Sequence, residues 1–244
     1  MLMKKSNYFL LAVVAFSIAL SSCDSSKNSS NSMEKAYTMA SKSKDRETVI
    51  SSLTLWLAND SSIGKWAYDT LAYYHYFYRV TPGAVRNPAT PKYYAEEGLK
   101  LNPNNLFLRD IKAKLLLEEG KDTASFDMFA QMWKETGDMT YYWDMTFIEI
   151  ARNKIGVADS MVQSSLKLAD ISNKKVKMEH IQAQITENVN AAAAFYYLDA
   201  LIKNAQRNVI GAAESLKKAL DAEPEFYAAR RTIMELQRMS SGQQ

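Results

Sequence analysis

Cys23 is the residue with the clearest chemistry, and it is the one cysteine of the chain. It follows an apolar run from Tyr8 to Leu20, which itself follows Lys4 and Lys5. Such a run is shorter than the roughly 20 apolar residues of a membrane-spanning helix and has the dimensions of a signal-peptide core. A lone thiol forms no intrachain disulfide, so its sulfur is free to carry another covalent group.

The other reactive side chains favour no catalytic or metal centre. His75 and His180 are the two histidines, and neither stands in an H-E-x-x-H sequence. The glycines are never grouped as G-x-x-x-x-G-K-[ST] or G-x-G-x-x-G, the patterns that cradle phosphates. No serine stands out as a nucleophile beside either histidine. We therefore predict that the protein is not an enzyme, and that it has no catalytic residues, no metal and no cofactor.

The elements that position these residues are predicted to be helices. No proline occurs between Asn104 and Glu223, and Gly120 and Gly137 are each followed closely by an aspartate, as where one helix ends and the next begins. No window shows the period-two alternation of a hairpin. Our predicted helices span 33–43, 45–58, 62–79, 91–101, 105–119, 122–136, 139–154, 157–171, 174–188, 190–205, 208–221 and 225–239.

One of these helices is predicted to lie inside the stack. Tyr141, Trp143, Phe147 and Ile150 leave the helix 139–154 hardly any polar face, and a helix that is apolar all round is packed on several sides. The longest irregular segment is predicted from Val80 to Thr90, where two prolines and a glycine interrupt any helix.

Part of the chain resembles the tetratricopeptide repeat (TPR). In residues 209–224, Ala212 and Ala219 take its small positions, Leu216 the large one between them, and Pro224 the closing proline. Small residues let two helices approach closely. Weaker matches lie around residues 108–129 and 68–105. The resemblance implies an all-α, right-handed solenoid of about 10–12 helices in antiparallel pairs, whose first helices line a concave groove. An irregular all-α domain with one accidental match is the alternative.

The repeat register also predicts which residues face the groove. Tyrosine and tryptophan there would bind a peptide or a sugar ring, because they combine apolar area with a polar tip. The alternative is that the aromatic residues pack in the core against the segment Val80–Thr90. The predicted partner-binding residues are Trp66, Asp69, Tyr73, Tyr76 and Phe77, followed in the next unit by Phe107, Asp110 and Lys114.

Leu20-Ser21-Ser22-Cys23 resembles the lipobox of bacterial lipoproteins. This resemblance implies diacylglycerol on the Cys23 sulfur, cleavage after Ser22 and a further acyl chain, such as palmitate, on the new amino terminus. Several acyl chains anchor a protein stably, whereas one does so marginally. The alternative is a secretory signal with an incidental cysteine. The predicted organisation is a signal peptide (1–22), the lipidated Cys23 with a flexible serine-rich tether (23–32), and a TPR-like helical domain (33–244).

Charge excludes one class of partner. The segment 1–22 carries Lys4 and Lys5 and no acid, so its removal leaves 28 of the 30 basic residues against 27 acidic ones. A nearly neutral protein is not expected to bind nucleic acid. We expect protein partners in the cell envelope and membrane attachment through the lipid, at an outer membrane and facing the periplasm. Asp69-Thr70-Leu71 resembles the short O-glycosylation signal of Bacteroidota.

Two functions follow from these expectations. The first is an anchored, non-catalytic scaffold or assembly factor that binds other envelope proteins. The second is a ligand-binding lipoprotein that captures a peptide or glycan in the aromatic groove.

Overall fold

The computed structural model describes residues 31–78, 88–181 and 183–240. Cys23, the signal peptide and most of the tether lie outside the described residues, as does the predicted loop as far as residue 87. The chain divides into two compact units, one comprising Met1–Tyr76 with Ala89–Asn105 and the other Phe77–Pro88 with Leu106–Gln244.

Eleven α-helices occur within the described residues, and the predicted all-α, helix-pair fold is confirmed. The first unit contains α1 (31–43), α2 (Arg46–Asn59), α3 (Gly64–Phe77, whose last residue falls to the second unit) and α4 (Ala89–Leu101). The second unit contains α5 (Leu106–Glu118), α6 (Asp122–Thr136), α7 (Met139–Ala151), α8 (Ile155–Leu166), α9 (Ala191–Ala205), α10 (Val209–Ala222) and α11 (Tyr227–Ser240).

Predicted helix boundaries have clear local causes. Gly137 ends α6 with a φ of +68°, which glycine adopts without the steric cost that a Cβ brings. Asp138 then accepts a hydrogen bond of 2.8 Å from the backbone N–H of Thr140 and so caps α7. Asn208 caps α10 in the same manner, through a 2.9 Å bond from the N–H of Gly211. Short polar and glycine turns thus fold the chain back on itself.

Packing between α9 and α10 agrees with the TPR register. Ala212, Leu216 and Ala219 are all buried, and α9 packs along α10. Lys217, on the other face of α10, is exposed. The alternation of small and large residues that the sequence shows here is therefore the helix–helix contact itself.

The predicted helix 174–188 is wrong, since this segment forms an antiparallel hairpin. Its strands are β1 (Lys175–His180) and β2 (Ile185–Asn190), paired from Lys175 opposite Asn190 to His180 opposite Ile185. Val176 and Met178 are buried, whereas Lys175 before them and Lys177 between them are exposed. This is period-two alternation over only a few residues, and the helix-favouring Lys, Met and Glu side chains conceal it.

The helix predicted to lie inside the stack does so. α7 packs against α6, α8, α9 and β1, with Met145 and Ile148 buried among residues of α5 and α6. Its sequence is not wholly apolar, however, because α7 also brings Asp144 and the buried Glu149 into the unit.

Candidate binding surface

A charged network joins α5 to β1 in the second unit. Lys114 donates hydrogen bonds from Nζ to Asp110 Oδ2, at 2.8 Å, and to Glu179 Oε2, at 3.1 Å. Lys177 donates to the other oxygen of Glu179, Oε1, at 2.6 Å. The side chain of Glu179 is only 6% exposed and that of Lys114 16%. Charged hydrogen bonds that are largely shielded from water are among the stronger polar contacts in proteins.

Asp144 of α7 adds a third carboxyl group to this network. The residue is half-buried, but its Oδ2 is fully enclosed and accepts no hydrogen bond from any described residue. The same holds for Oδ1 of Asp110, whose other oxygen is bonded to Lys114. Two enclosed carboxylate oxygens therefore lie unpaired around one lysine, an arrangement that costs free energy if both acids are ionised.

Burial and neighbouring charges shift the pKa values of Asp144, Asp110 and Glu179 in different directions. Burial raises the pKa of Asp144 to about 8, with Lys114 opposing the shift and the charges of Asp110 and Glu179 adding to it. Burial also raises the pKa of Asp110. It acts in the same direction on Glu179, but Lys114 and Lys177 outweigh it and lower the pKa of that residue. At neutral pH Asp144 thus holds a proton, while Glu179 is ionised beside its lysines.

Burial raises the pKa of Tyr141 to about 12, with a further contribution from the charge of Asp110. The hydroxyl of this residue on α7 therefore keeps its proton at physiological pH and is no base. The network is a set of fixed charges and hydrogen-bonding groups, suited to binding and orientation.

The hairpin lies across the first helices of successive helix pairs. The N–H of Lys177 donates a 3.0 Å hydrogen bond to Thr140 Oγ1 on α7, and Lys114 binds Glu179 from α5. Both strands also pack on α9. Glu187 of β2 accepts a 3.2 Å bond from the N–H of Tyr227 on α11. We call the surface of α5, α7, α9 and α11 that these contacts define the hairpin seat.

Predicted groove residues of the first unit have mixed positions. Trp66 is 38% exposed, with its ring 5.4 Å from that of Tyr37 and 5.5 Å from that of Trp56. Asp69 is half-buried and accepts two 2.9 Å hydrogen bonds from Asn105 Nδ2. Burial raises its pKa, which the bond from Asn105 opposes. Tyr73 is also half-buried.

Tyr76 and Phe77, predicted as partner-binding residues, are buried, in agreement with the core alternative for the aromatic residues. Their side chains are 4% and 3% exposed. They follow Ala72, also buried, at i+4 and i+5, so all three positions belong to the buried face of α3. These two aromatic residues are core residues here.

In the second unit, Asp110 and Lys114 belong to the hairpin seat, and Phe107 is half-buried on the same helix. The prediction that they bind a partner remains a prediction. Sequence reasoning missed Thr140, Asp144 and Glu179. Asp144 carried a signal, because it is a lone acid among MTYYW and MTFI in a helix predicted to be packed on several sides. Glu179 carried none while its segment was read as a helix.

His75 packs against an aromatic ring, and His180 contacts a carboxyl group. The His75 ring stacks on Tyr94 with 5.3 Å between centroids, and burial lowers its pKa, a shift that Glu47 opposes. His180 Nε2 lies 2.7 Å from Glu187 Oε1.

In the part of the chain that the structure describes, no three His, Cys, Asp or Glu side chains are placed to hold a metal ion. Over the same residues, no helix combines the length and apolarity needed to cross a membrane.

Solved structures with the same fold are TPR proteins. A TPR protein from Parabacteroides merdae superposes with a TM-score of 0.52 at 16% identity, covering 82% of this chain and 67% of its own. YrrB, a TPR protein with an unusual peptide-binding site, gives 0.51 at 14% identity, covering 81% and 88%. MamA from Desulfovibrio magneticus RS-1 gives 0.56 at 10% identity, covering 82% and 97%.

Neither a protein-family model nor a curated protein matches the sequence. The chain is therefore a TPR-like helical-repeat protein by its fold, in agreement with the resemblance of residues 209–224.

Proposed function

We propose that this protein is a membrane-anchored, non-catalytic lipoprotein that acts as a protein–protein interaction scaffold or assembly factor in the bacterial envelope. The observation that carries the binding role is the TPR-like fold, which this chain shares with YrrB, a TPR protein that has an unusual peptide-binding site. The chemistry of the hairpin seat supports it, since Asp110 and Lys114 of the seat form charged hydrogen bonds with each other and, through Lys114, with Glu179 of the hairpin.

The anchoring role rests on the sequence of residues 1–23. The lipobox-like Leu20-Ser21-Ser22-Cys23 follows an apolar run and two lysines, as in lipoprotein precursors. Lipid on Cys23 would hold the helical body close to a membrane, and a location at the outer membrane, facing the periplasm, is part of this proposal. Its partners are then envelope proteins.

We further propose that partner contacts include the exposed and half-buried members of the predicted groove set. These are Trp66, Asp69 and Tyr73 in the first unit and Phe107 and Lys114 in the second, where the buried Asp110 contributes through its hydrogen bond to Lys114. Large aromatic side chains at protein interfaces often contribute most of the binding free energy. Trp66 is the strongest candidate of the first unit, because more than a third of it is open to solvent.

Site-specific photo-crosslinking in intact membranes tests this function. A photoreactive residue at Trp66 is expected to give discrete adducts with envelope proteins, identified by mass spectrometry. Lys65 is the matched control, because it is also exposed but points about 100° away around the same helix. Identical adducts from both positions, or none from any exposed position of either unit, would contradict the scaffold role.

A further inference from the structure

The hairpin interrupts an otherwise closely connected series of helices. The connection between α6 and α7 is residues 137–138, whereas that between α8 and α9 is residues 167–190. The two ends of the hairpin nevertheless meet, because the N–H of Ala191 donates a 2.9 Å hydrogen bond to the carbonyl of Lys174. Lys175 also lies directly opposite Asn190. The flanking helices α8 and α9 also pack directly on each other, so their contact does not depend on the strands between them.

Its contacts resemble those of a bound peptide. β1 is extended, presents Val176 and Met178 to the helices, donates a backbone N–H to Thr140 and places an acidic side chain on Lys114. Extended peptides bind proteins with this combination of backbone hydrogen bonds and pockets for alternate side chains.

The polar part of the seat is incompletely satisfied while the hairpin occupies it. Asp110 Oδ1 and Asp144 Oδ2 are enclosed and accept no hydrogen bond from a described residue, and both lie near the ion pair of Lys114 with Glu179. Enclosed carboxyl oxygens without a hydrogen bond oppose the favourable burial of Val176, Met178 and Val189. The seat therefore offers apolar contacts together with polar groups that other ligands would pair differently.

We infer that the hairpin seat is a binding surface for an extended peptide segment, and that the hairpin occupies it as an intramolecular ligand. The partner is a protein segment with two apolar residues in alternation followed by an acidic residue, the pattern that Val176, Met178 and Glu179 display. Such a segment binds when it replaces the hairpin. This inference rests on the proposed role in partner binding and assigns it a surface and a ligand class.

Complementation of an excised hairpin tests the inference. Residues 176–189 are replaced by two glycines, which close a two-residue turn between the opposed Lys175 and Asn190 and keep the Asn190 cap of α9. A fluorescent synthetic peptide of residues 176–189 is then titrated by anisotropy into this variant and into the full chain, both purified in detergent. We expect saturable binding to the excised variant and at least tenfold weaker binding to the full chain, whose own hairpin competes at a high effective concentration.

The Lys114–Glu179 ion pair gives the specific control. Lys114→Met in the excised variant should weaken binding of the natural peptide at least tenfold, but should matter much less for a peptide with Glu179→Gln. Lys217→Met, at an exposed lysine of α10, should leave both affinities unchanged. A folded excised variant that does not bind the peptide, or equal losses for both peptides, would overturn the inference.

Hydrogen exchange on the full chain decides the matter if the excised variant does not fold. Amides of β1 and β2 should then exchange through a local opening that leaves the buried amides of α9 protected. Equal protection of the strands and α9 would make the hairpin an integral part of the core and overturn the inference. Peptide complementation without any envelope crosslink would leave the hairpin seat standing and refute the scaffold function instead.

Discussion

Burial of Asp144 is expected to make the stability of the second unit depend on pH. The Asp144 carboxyl group faces Lys114 with Asp110 and Glu179 close by, and Asp138 adds a weaker charge from the start of the same helix. The pKa of about 8 in the folded protein lies above the ordinary value of 3.8. Between these values the folded state keeps a proton that the unfolded chain has lost, so this group makes the protein less stable as the pH rises.

Asp144→Asn is expected to remove this pH dependence. The amide is nearly isosteric with the protonated acid and does not titrate, so the variant should gain stability relative to the natural protein between pH 5 and pH 8. The gain is bounded by about 1.4 kcal/mol per pH unit. Urea unfolding at both pH values measures it, and Asp127→Asn, on the exposed face of α6, is the control. A constant free-energy difference at the two pH values would contradict the assigned proton.

Tyr76 is expected to contribute mainly to the stability of the fold and not directly to partner binding. Because its side chain is 4% exposed, Tyr76→Ala removes buried aromatic area and is expected to cost about 3–5 kcal/mol. Tyr73→Ala, at a half-buried neighbour on the same helix, should cost clearly less. Thermal unfolding followed by circular dichroism compares the two. Similar melting temperatures for the two variants would contradict the assignment of Tyr76 to the buried face of α3 and of Tyr73 to a half-buried position.

At the scale of the element, close helix contacts require small residues at fixed places. Ala212 and Ala219 are 1% and 0% exposed, so α9 and α10 leave no room for a larger side chain there. Ala212→Leu is expected to cost about 1–3 kcal/mol through overpacking. Lys217→Leu, which adds a similar side chain on the exposed face, should change stability by less than about 0.5 kcal/mol. Equal unfolding midpoints in urea would refute the register.

The helices of this protein could be predicted from the sequence, whereas its hairpin could not. The helices and their turns were predictable, because Gly137, Asp138 and the alanines of α10 act locally through φ, capping and close contact. The hairpin was not, because Lys177 and Glu179 have good helix propensity and are held extended by Thr140 and Lys114, far away in sequence. The charged network depends on the hairpin, so it was hidden for the same reason.

Over the whole molecule, the proposed function needs the helical body to be held at a membrane. None of the described helices is long and apolar enough to span one. The predicted anchor is the lipid on Cys23, which lies outside the described residues, joined to the body by a serine-rich segment. The structure places the last two residues of the predicted tether, Asn31 and Ser32, in α1; the seven polar residues from Asp24 to Ser30 would reach about 13–16 Å on average if flexible. A body on such a tether remains within reach of other membrane-bound proteins.

Cys23→Ser is the decisive change at this scale. A hydroxyl in place of the thiol removes the nucleophile to which diacylglycerol is attached, so processing at Ser22 should stop and the longer precursor should accumulate. Labelling cells with an alkyne fatty acid should mark the natural protein and not the variant. Ser25→Ala, two residues further along the same segment, should be labelled and processed normally. Loss of the anchor should also abolish the crosslinks from Trp66, although the helical body is unchanged. If the Cys23→Ser protein is still shortened at this position and stays with membranes after a high-salt wash, its attachment does not depend on the lipobox-like sequence.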